Sequence, residues 1–254
     1  MDFQIDKIYN EDCLEGMKRI ADGAMDCIIT DLPYGTTACA WDSVIPFEPL
    51  WEQFKRVTKP NAAIVLFANE PFTSALVMSN INGFKYRIDW DKVIPSGLAY
   101  ARFRPMSQVE DICVFTRNGE KTIFNPQKTK RRNPIKAGGN RLQAGAYFDF
   151  KCRGEGKTYD KVYNDKNPTT LISFDKVRKG AFHPTQKPVD LLRYLILTYS
   201  NEGDTILDAT IGSGTTAVAA LMEKRHFIGF ETNKEYFDIA QGRIDQVLRN
   251  PTLF

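Results

Sequence analysis

The chain carries only two histidines, His183 and His226, and no Cys-x-x-C pair, so no zinc constellation is visible and no metal is expected. Its five cysteines, Cys13, Cys27, Cys39, Cys113 and Cys152, are scattered and odd in number, which argues for reduced thiols and against a disulfide framework. No apolar run approaches the ~18 residues of a membrane span. The opening Met1-Asp2-Phe3-Gln4 does not read as a signal peptide. A cytoplasmic protein without a membrane partner is therefore expected. No Gly-Lys-[Ser/Thr] follows a glycine loop, which excludes a P-loop.

What is present suits a soluble globular protein: 254 residues, 43% hydrophobic and 26% charged. That length allows one large α/β domain, or a domain with an insert. The net charge of +3 hides an uneven spread. Residues 117–180 hold 16 lysines and arginines against 6 acidic residues, while the remainder holds 18 against 25. A basic module on an acidic body suits a polyanion, nucleic acid above all. A lysine-rich solvated surface insertion is the bland alternative, and nucleic acid is favoured over it.

Strands and helices alternate along both flanks of that basic stretch. Phe3 to Tyr9, Met25 to Thr30, Ala62 to Phe67, Phe84 to Val93, Asp111 to Thr116, Thr205 to Asp208 and His226 to Glu231 read as strands. Helices are expected over Leu14–Ile20, Phe47–Lys59, Pro71–Ser79, Val189–Tyr199, Ala217–Met222 and Lys234–Leu248, with Asp12 placed to cap the first. The alternation predicts an α/β fold with a mostly parallel sheet and helices on both faces. The regularity fails over 117–180, which reads as an irregular, basic insert. The expected division is thus 1–116 with 181–254 as one domain and 117–180 as the other.

Two motifs stand at predicted strand ends. Asp31-Leu32-Pro33-Tyr34 delivers an acid, a proline and an aromatic to the edge where open α/β sheets bind ligands. An Asp-x-Pro turn alone is more often plain loop chemistry. The second is Asp208 to Thr216, strand then Gly212-x-Gly214 then helix, followed by a strand ending at Glu231. Glycines admit a ligand to the backbone, the helix N-terminus offers free N–H groups, and a carboxylate at the next strand end can chelate ribose hydroxyls. That is the grammar of a nucleoside site, and Gly212-x-Gly214-x-x-Ala217 leaves a dinucleotide open.

Together and in this order, with a basic insert between them, these motifs resemble the β-type DNA amino-methyltransferases. His183-Pro184-Thr185-Gln186-Lys187-Pro188 is similar to that family's segment before the cofactor strand, and Trp90-Asp91-Lys92 with Glu110 resembles its later catalytic motif. Leu32 replaces a usual proline, and Asp208-Ala209-Thr210 replaces Asp-Pro-Phe. The resemblance implies a circularly permuted, Rossmann-like methyltransferase sheet and transfer of a methyl group from S-adenosylmethionine to a flipped base. Adenine N6 is the expected acceptor, with cytosine N4 the alternative, and an RNA or protein amine further behind. It assigns catalysis to Asp31, Leu32, Pro33 and Tyr34. Cofactor contacts are expected from Asp12, Cys13, Asp31, Lys187, Asp208, Thr210, Gly212, Ser213, Gly214, Thr215 and Glu231, with Lys187 a candidate for the methionine carboxylate. The insert is where the family places target recognition, so Lys128, Lys130, Arg131, Arg132, Lys136 and Arg141 are expected on double-stranded DNA. A homodimer and a cognate restriction endonuclease are further candidate partners. The absence of a Pro-Cys pair speaks against a cytosine-C5 enzyme, which needs a thiolate nucleophile. A dehydrogenase would leave Asp31-Leu32-Pro33-Tyr34 unexplained, and a non-enzymatic DNA-binding module would need neither the glycine loop nor paired acids.

Overall fold

The computed structural model describes residues 4–35, 43–136, 162–178, 180, 182 and 186–249. The chain divides into two compact units, 1–125 with 170–254, and 126–169.

The larger unit is built on an eight-stranded sheet. Its strands are β1 (Lys7–Tyr9), β2 (Met25–Thr30), β3 (Thr58–Ala68), β4 (Phe84–Ser96), β5 (Ser107–Thr116), β8 (Leu171–Ser173), β9 (Thr205–Asp208) and β10 (His226–Phe230). Their order across the sheet is β1-β10-β9-β2-β3-β5-β4-β8. Pairing is parallel from β1 through β3 and between β4 and β8; β5 runs antiparallel to both of its neighbours. The mostly parallel sheet expected from the alternating pattern is present.

Helices α1 (Cys13–Met17), α2 (Phe47–Val57) and α3 (Phe72–Ser79) cover one face, and α4 (Val189–Tyr199), α5 (Thr215–Met222) and α6 (Lys234–Arg249) the other. The strands read as continuous apolar runs because both faces are buried. Ala63, Val65 and Phe67 of β3 join Leu192, Leu195 and Ile196 of α4, while Ile64 and Leu66 join Leu50, Trp51 and Phe54 of α2.

Several boundaries differ from the sequence reading. The first strand begins at Lys7, because Asp6 adopts φ 60° and turns its carboxylate onto His226 Nδ1 (2.8 Å) and the Phe227 N–H (3.2 Å). The first helix ends at Met17, three residues short of Ile20. Strands β4 and β5 each run further toward the turn that joins them.

The smaller unit contains an antiparallel pair, β6 (Thr129–Lys136) and β7 (Val162–Lys166). It is narrower than the insert read from charge, for two reasons. The Ile123 and Asn125 N–H groups donate to Asn61 O (3.2 Å) and Thr198 O (2.7 Å), which binds residues 117–125 to the larger unit. Leu171–Ser173 pair with β4, and Phe174 O accepts from Trp90 Nε1 at 2.9 Å, which does the same beyond residue 169. Residues 126–169 still hold 11 lysines and arginines against 4 acids.

Candidate active site

Residues that the sequence keeps far apart meet because β2 and β9 are neighbours. Register pairs Cys27 with Ile206 and Ile28 with Leu207, so Asp31 and Asp208 leave the sheet at the same edge. Thr210 ties the two motifs together: its Oγ1 donates to Asp31 O at 2.9 Å and lies 2.9 Å from Thr30 Oγ1. A cleft of about 700 Å³ opens there, within the size range of small-molecule sites. Asp31 to Tyr34, Asp12, Cys13, Lys187, Asp208, Thr210, Gly212, Ser213, Thr215 and Glu231 all line it. Gly214 is absent from that lining and serves geometry instead. It caps α5 at φ 81°, and an added Cβ there would stand 2.9 Å from Ala240 Cβ.

The glycine-loop end is organised by backbone donors. Gly212 N–H donates to Glu231 Oε2 at 3.0 Å, and Asn233 N–H to Oε1 at 2.8 Å. Gly212 has φ 53° with nothing within 4 Å of where a Cβ would stand, so its backbone faces open space. Glu231 is pushed up from its ordinary pKa by burial. Asp208, almost fully buried, is pushed up to about 6 by burial, against hydrogen bonds from Thr216, Thr30 and the Thr210 N–H. From α6, Arg243 Nη1 donates to Ser213 O (2.5 Å) and Thr215 Oγ1 (3.1 Å), fixing the loop from behind. Asp12 does cap α1, with Oδ1 accepting from the Leu14 (2.8 Å) and Glu15 (3.2 Å) N–H groups. One of its two oxygens carries that cap, and the residue still borders the cleft. Glu231, pinned by two backbone N–H groups and bordering the cleft, keeps lone-pair capacity to accept hydrogen bonds from a vicinal diol.

The opposite end is organised by charge. Lys187 Nζ lies 2.7 Å from Asp31 Oδ2 and 2.8 Å from Glu110 Oε1. Tyr34 OH donates to Asp31 Oδ1 at 2.6 Å and reaches Glu110 Oε1 at 3.4 Å. Lys92 stands 3.8 Å from Glu110, so two cations face two carboxylates. Burial pushes Asp31 up while Lys187 pulls it back. Burial alone would lower the Lys187 ammonium, but Asp31 and then Glu110 outweigh it and keep it charged. Both Asp31 oxygens are therefore oriented, each with lone-pair capacity left for a further donor. The Lys187 ammonium, expected at a cofactor carboxylate, is committed here to two protein carboxylates. The Tyr34 ring rests on Phe72, centroids 5.1 Å apart. Pro33 lines the cleft, and Leu32 packs into the core beneath it.

Over residues 25–242 the chain matches the DNA methylase family of N6 and N4 amino-methyltransferases. It belongs to that family. The methylase is 29% identical over 259 residues to type II methyltransferase M.HpaI of Haemophilus parainfluenzae, covering 94% of this chain and 74% of that one. It is 30% identical over 255 residues to DNA adenine methyltransferase YhdJ of Escherichia coli strain K12, covering 94% and 82%. Among solved structures it resembles the M1.HpyAVI–SAM complex, with a TM-score of 0.61 and 25% identity over 93% of this chain and 98% of that one.

Glu110 and Lys92 complete the charged end of the methylase cleft. Their signal in the sequence was the likeness of Trp90-Asp91-Lys92 with Glu110 to a catalytic motif, and register places Trp90 directly opposite Glu110. Arg243 left no signal, since its role depends on how α6 lies against the loop. In the smaller unit Lys128, Lys130 and Arg132 are exposed. Arg131 is half-buried, with its Nε on Asp165 O at 3.0 Å, and Lys136 ends β6. Arg141 and His183 lie outside the described residues. No described helix is long and apolar enough to cross a membrane.

Proposed function

We propose that the enzyme methylates adenine N6 in double-stranded DNA at a specific sequence, using S-adenosylmethionine. The observation that carries this reading is a partly buried carboxylate, Asp31, held by Tyr34 and Lys187 across one cleft from the Gly212–Glu231 nucleoside cradle. The cofactor supplies an activated methyl group on a sulfonium. Glu231 would take its ribose hydroxyls, Asp12 and Cys13 would border its adenine, and Ser213, Thr215 and Asp208 would line its methionine side.

An exocyclic amine is a poor nucleophile because its lone pair is delocalised into the ring. Asp31 would accept one amine N–H and the Leu32 carbonyl the other, turning the lone pair toward the methyl group. Tyr34 would pack on the base, which has to leave the helix to reach the cleft. With an activated donor, holding the two reactants in line does much of the catalysis. The net positive 126–169 unit would carry target recognition through phosphate contacts that include Lys128, Lys130 and Arg132. A relative named as an adenine methyltransferase supports adenine over cytosine, as does the acid that opens the catalytic motif.

The sheet also supports the permuted order. Strand β1 lies parallel beside β10, with Ile8 opposite Gly229, so α6 stands where a crossover from β10 to β1 would run. On this reading the protein works beside DNA in the bacterial cytoplasm. Incubation with radiolabelled S-adenosylmethionine and DNA, RNA or protein acceptors, followed by nucleoside analysis, tests the proposal. N6-methyladenine in duplex DNA is expected. N4-methylcytosine as the main product, or label in RNA or protein, would contradict it.

A further inference from the structure

The β4–β5 hairpin, residues 93–106, has no role in the chemistry above, yet it departs from ordinary surface design. Phe103 is 85% exposed and Leu98 77%, while Arg102 and Arg104 stand exposed on either side of the phenylalanine. Isolated apolar residues on a surface are unremarkable; a fully presented aromatic at a hairpin tip between two arginines is not.

The hairpin is built to project. Val93, a β-branched residue, holds φ 63°, a conformation such side chains avoid, with its N–H bound by Asp91 Oδ1 at 2.8 Å. Pairing jumps from Asp91 opposite Val109 to Ser96 opposite Ser107, so residues 92–95 bulge from the ladder. The bulge sends Lys92 to Glu110 in the cleft. Beyond it, Gly97 at φ 92° starts the turn 98–100. Lys176 braces the root, with Nζ 3.2 Å from Pro95 O and 2.8 Å from Ser96 Oγ. Lys92, Ser96 and Lys176 all line the cleft, so the hairpin rises from its rim. The nearby acid, Asp91, also receives Gln108 Nε2 at 2.9 Å, so its charge is already engaged at the root.

We propose that this hairpin enters duplex DNA beside the target: Phe103 wedges into the base stack, and Arg102 and Arg104 hold the flanking phosphates. The partner is DNA because apolar wedges between base steps, flanked by cations for phosphate, are how proteins lever a duplex open. The proposal rests on the base-flipping reading above and assigns the residue that makes extrusion favourable.

The test uses the intact enzyme and a duplex containing the site mapped from methylated DNA of expressing cells. One form is fully paired, and a second places the target opposite an abasic position, where extrusion is easier. A third carries 2-aminopurine at the target, whose fluorescence rises on leaving the stack. Phe103→Ala should lower kcat/KM on the paired duplex by ~10-fold or more and blunt the fluorescence rise, with near wild-type rates on the abasic duplex. Phe103→Trp should restore the paired activity. Arg102→Ala should weaken both duplexes alike and lower the salt slope of binding by just under ~1 unit. Equal losses for Phe103→Ala on paired and abasic DNA would overturn the wedge, as would no loss. So would a dimer that dissociates on this substitution, which would assign the hairpin to a second copy of the chain. No fluorescence rise in the wild type would instead overturn base flipping itself.

Discussion

The two ends of the cleft are held by different physics. At the glycine-loop end, short-range backbone geometry does the work: Gly212 N–H and Asn233 N–H orient Glu231, and Gly214 admits α6. At the catalytic end, four separate segments contribute Asp31 and Tyr34, Lys92, Glu110 and Lys187, bound by ion pairs. The first end resists change by rigidity, and the second by charge balance. Removing one member of a buried ionic set leaves another uncompensated, which is costly. Binding and turnover should therefore separate between the two ends.

The largest separation is expected from Asp31→Asn. Loss of the carboxylate should lower turnover by at least ~100-fold, in line with removal of one oriented group that acts on the developing charge. Single-turnover methyl transfer at saturating cofactor is the readout, and a folded variant with near wild-type rates would remove Asp31 from the chemistry.

Lys187→Met is the next step down. Lys187 holds Asp31 below where burial would put it, so its loss should raise the Asp31 pKa further. Activity needs the ionised acid, so the acid limb of the kcat profile should move to higher pH. Turnover near neutrality should fall by ~10-fold, with Lys187→Arg recovering part of it. If Lys187 instead anchored the cofactor, cofactor affinity would collapse and the profile would stay in place.

Asp208→Asn probes the loop end. Asp208 has a folded value of about 6 against 3.8 for the ordinary group, so its contribution favours the fold below 3.8 and is lost as pH rises to about 6. Above that, the fold carries a buried ionised acid. The substitution should raise stability at pH 8 by on the order of 2 kcal/mol and give little gain at pH 4. Thermal melts at the two pH values decide it, and a pH-independent effect would count against a buried charge.

The smallest effect belongs to the smaller unit. Charge reversal at Arg132 should flatten the log–log salt dependence of DNA binding by roughly one unit without touching cofactor affinity. An unchanged slope would mean that Arg132 is only solvated.

The same contrast explains what the sequence disclosed. Asp208 to Thr216 is legible because its meaning is local: a strand end, two glycines at positive φ and a helix start sit within a few residues. Glu231 follows from the strand after it. The catalytic end is legible at Asp31-Leu32-Pro33-Tyr34 and, through the family resemblance, at Trp90-Asp91-Lys92 with Glu110. That Lys187 would sit on Asp31 depends on where the 186–188 segment passes, and Glu110 on the antiparallel pairing of β4 with β5. The limits of the basic insert were hidden for a similar reason. Charge runs on past 169, but pairing of Leu171–Ser173 with β4 returns the chain to the sheet, and no composition signal marks a single edge strand.

The most direct test of a cleft with separate binding and catalytic ends is calorimetric titration of S-adenosylmethionine into Asp31→Ala and Glu231→Ala, side by side. Glu231→Ala should lose about 1.5–3 kcal/mol of binding, the range for hydrogen bonds to a charged group. Asp31→Ala should bind within ~3-fold of the wild type, a difference under 1 kcal/mol. Equal losses in both variants, or an unaltered Glu231→Ala, would contradict the division.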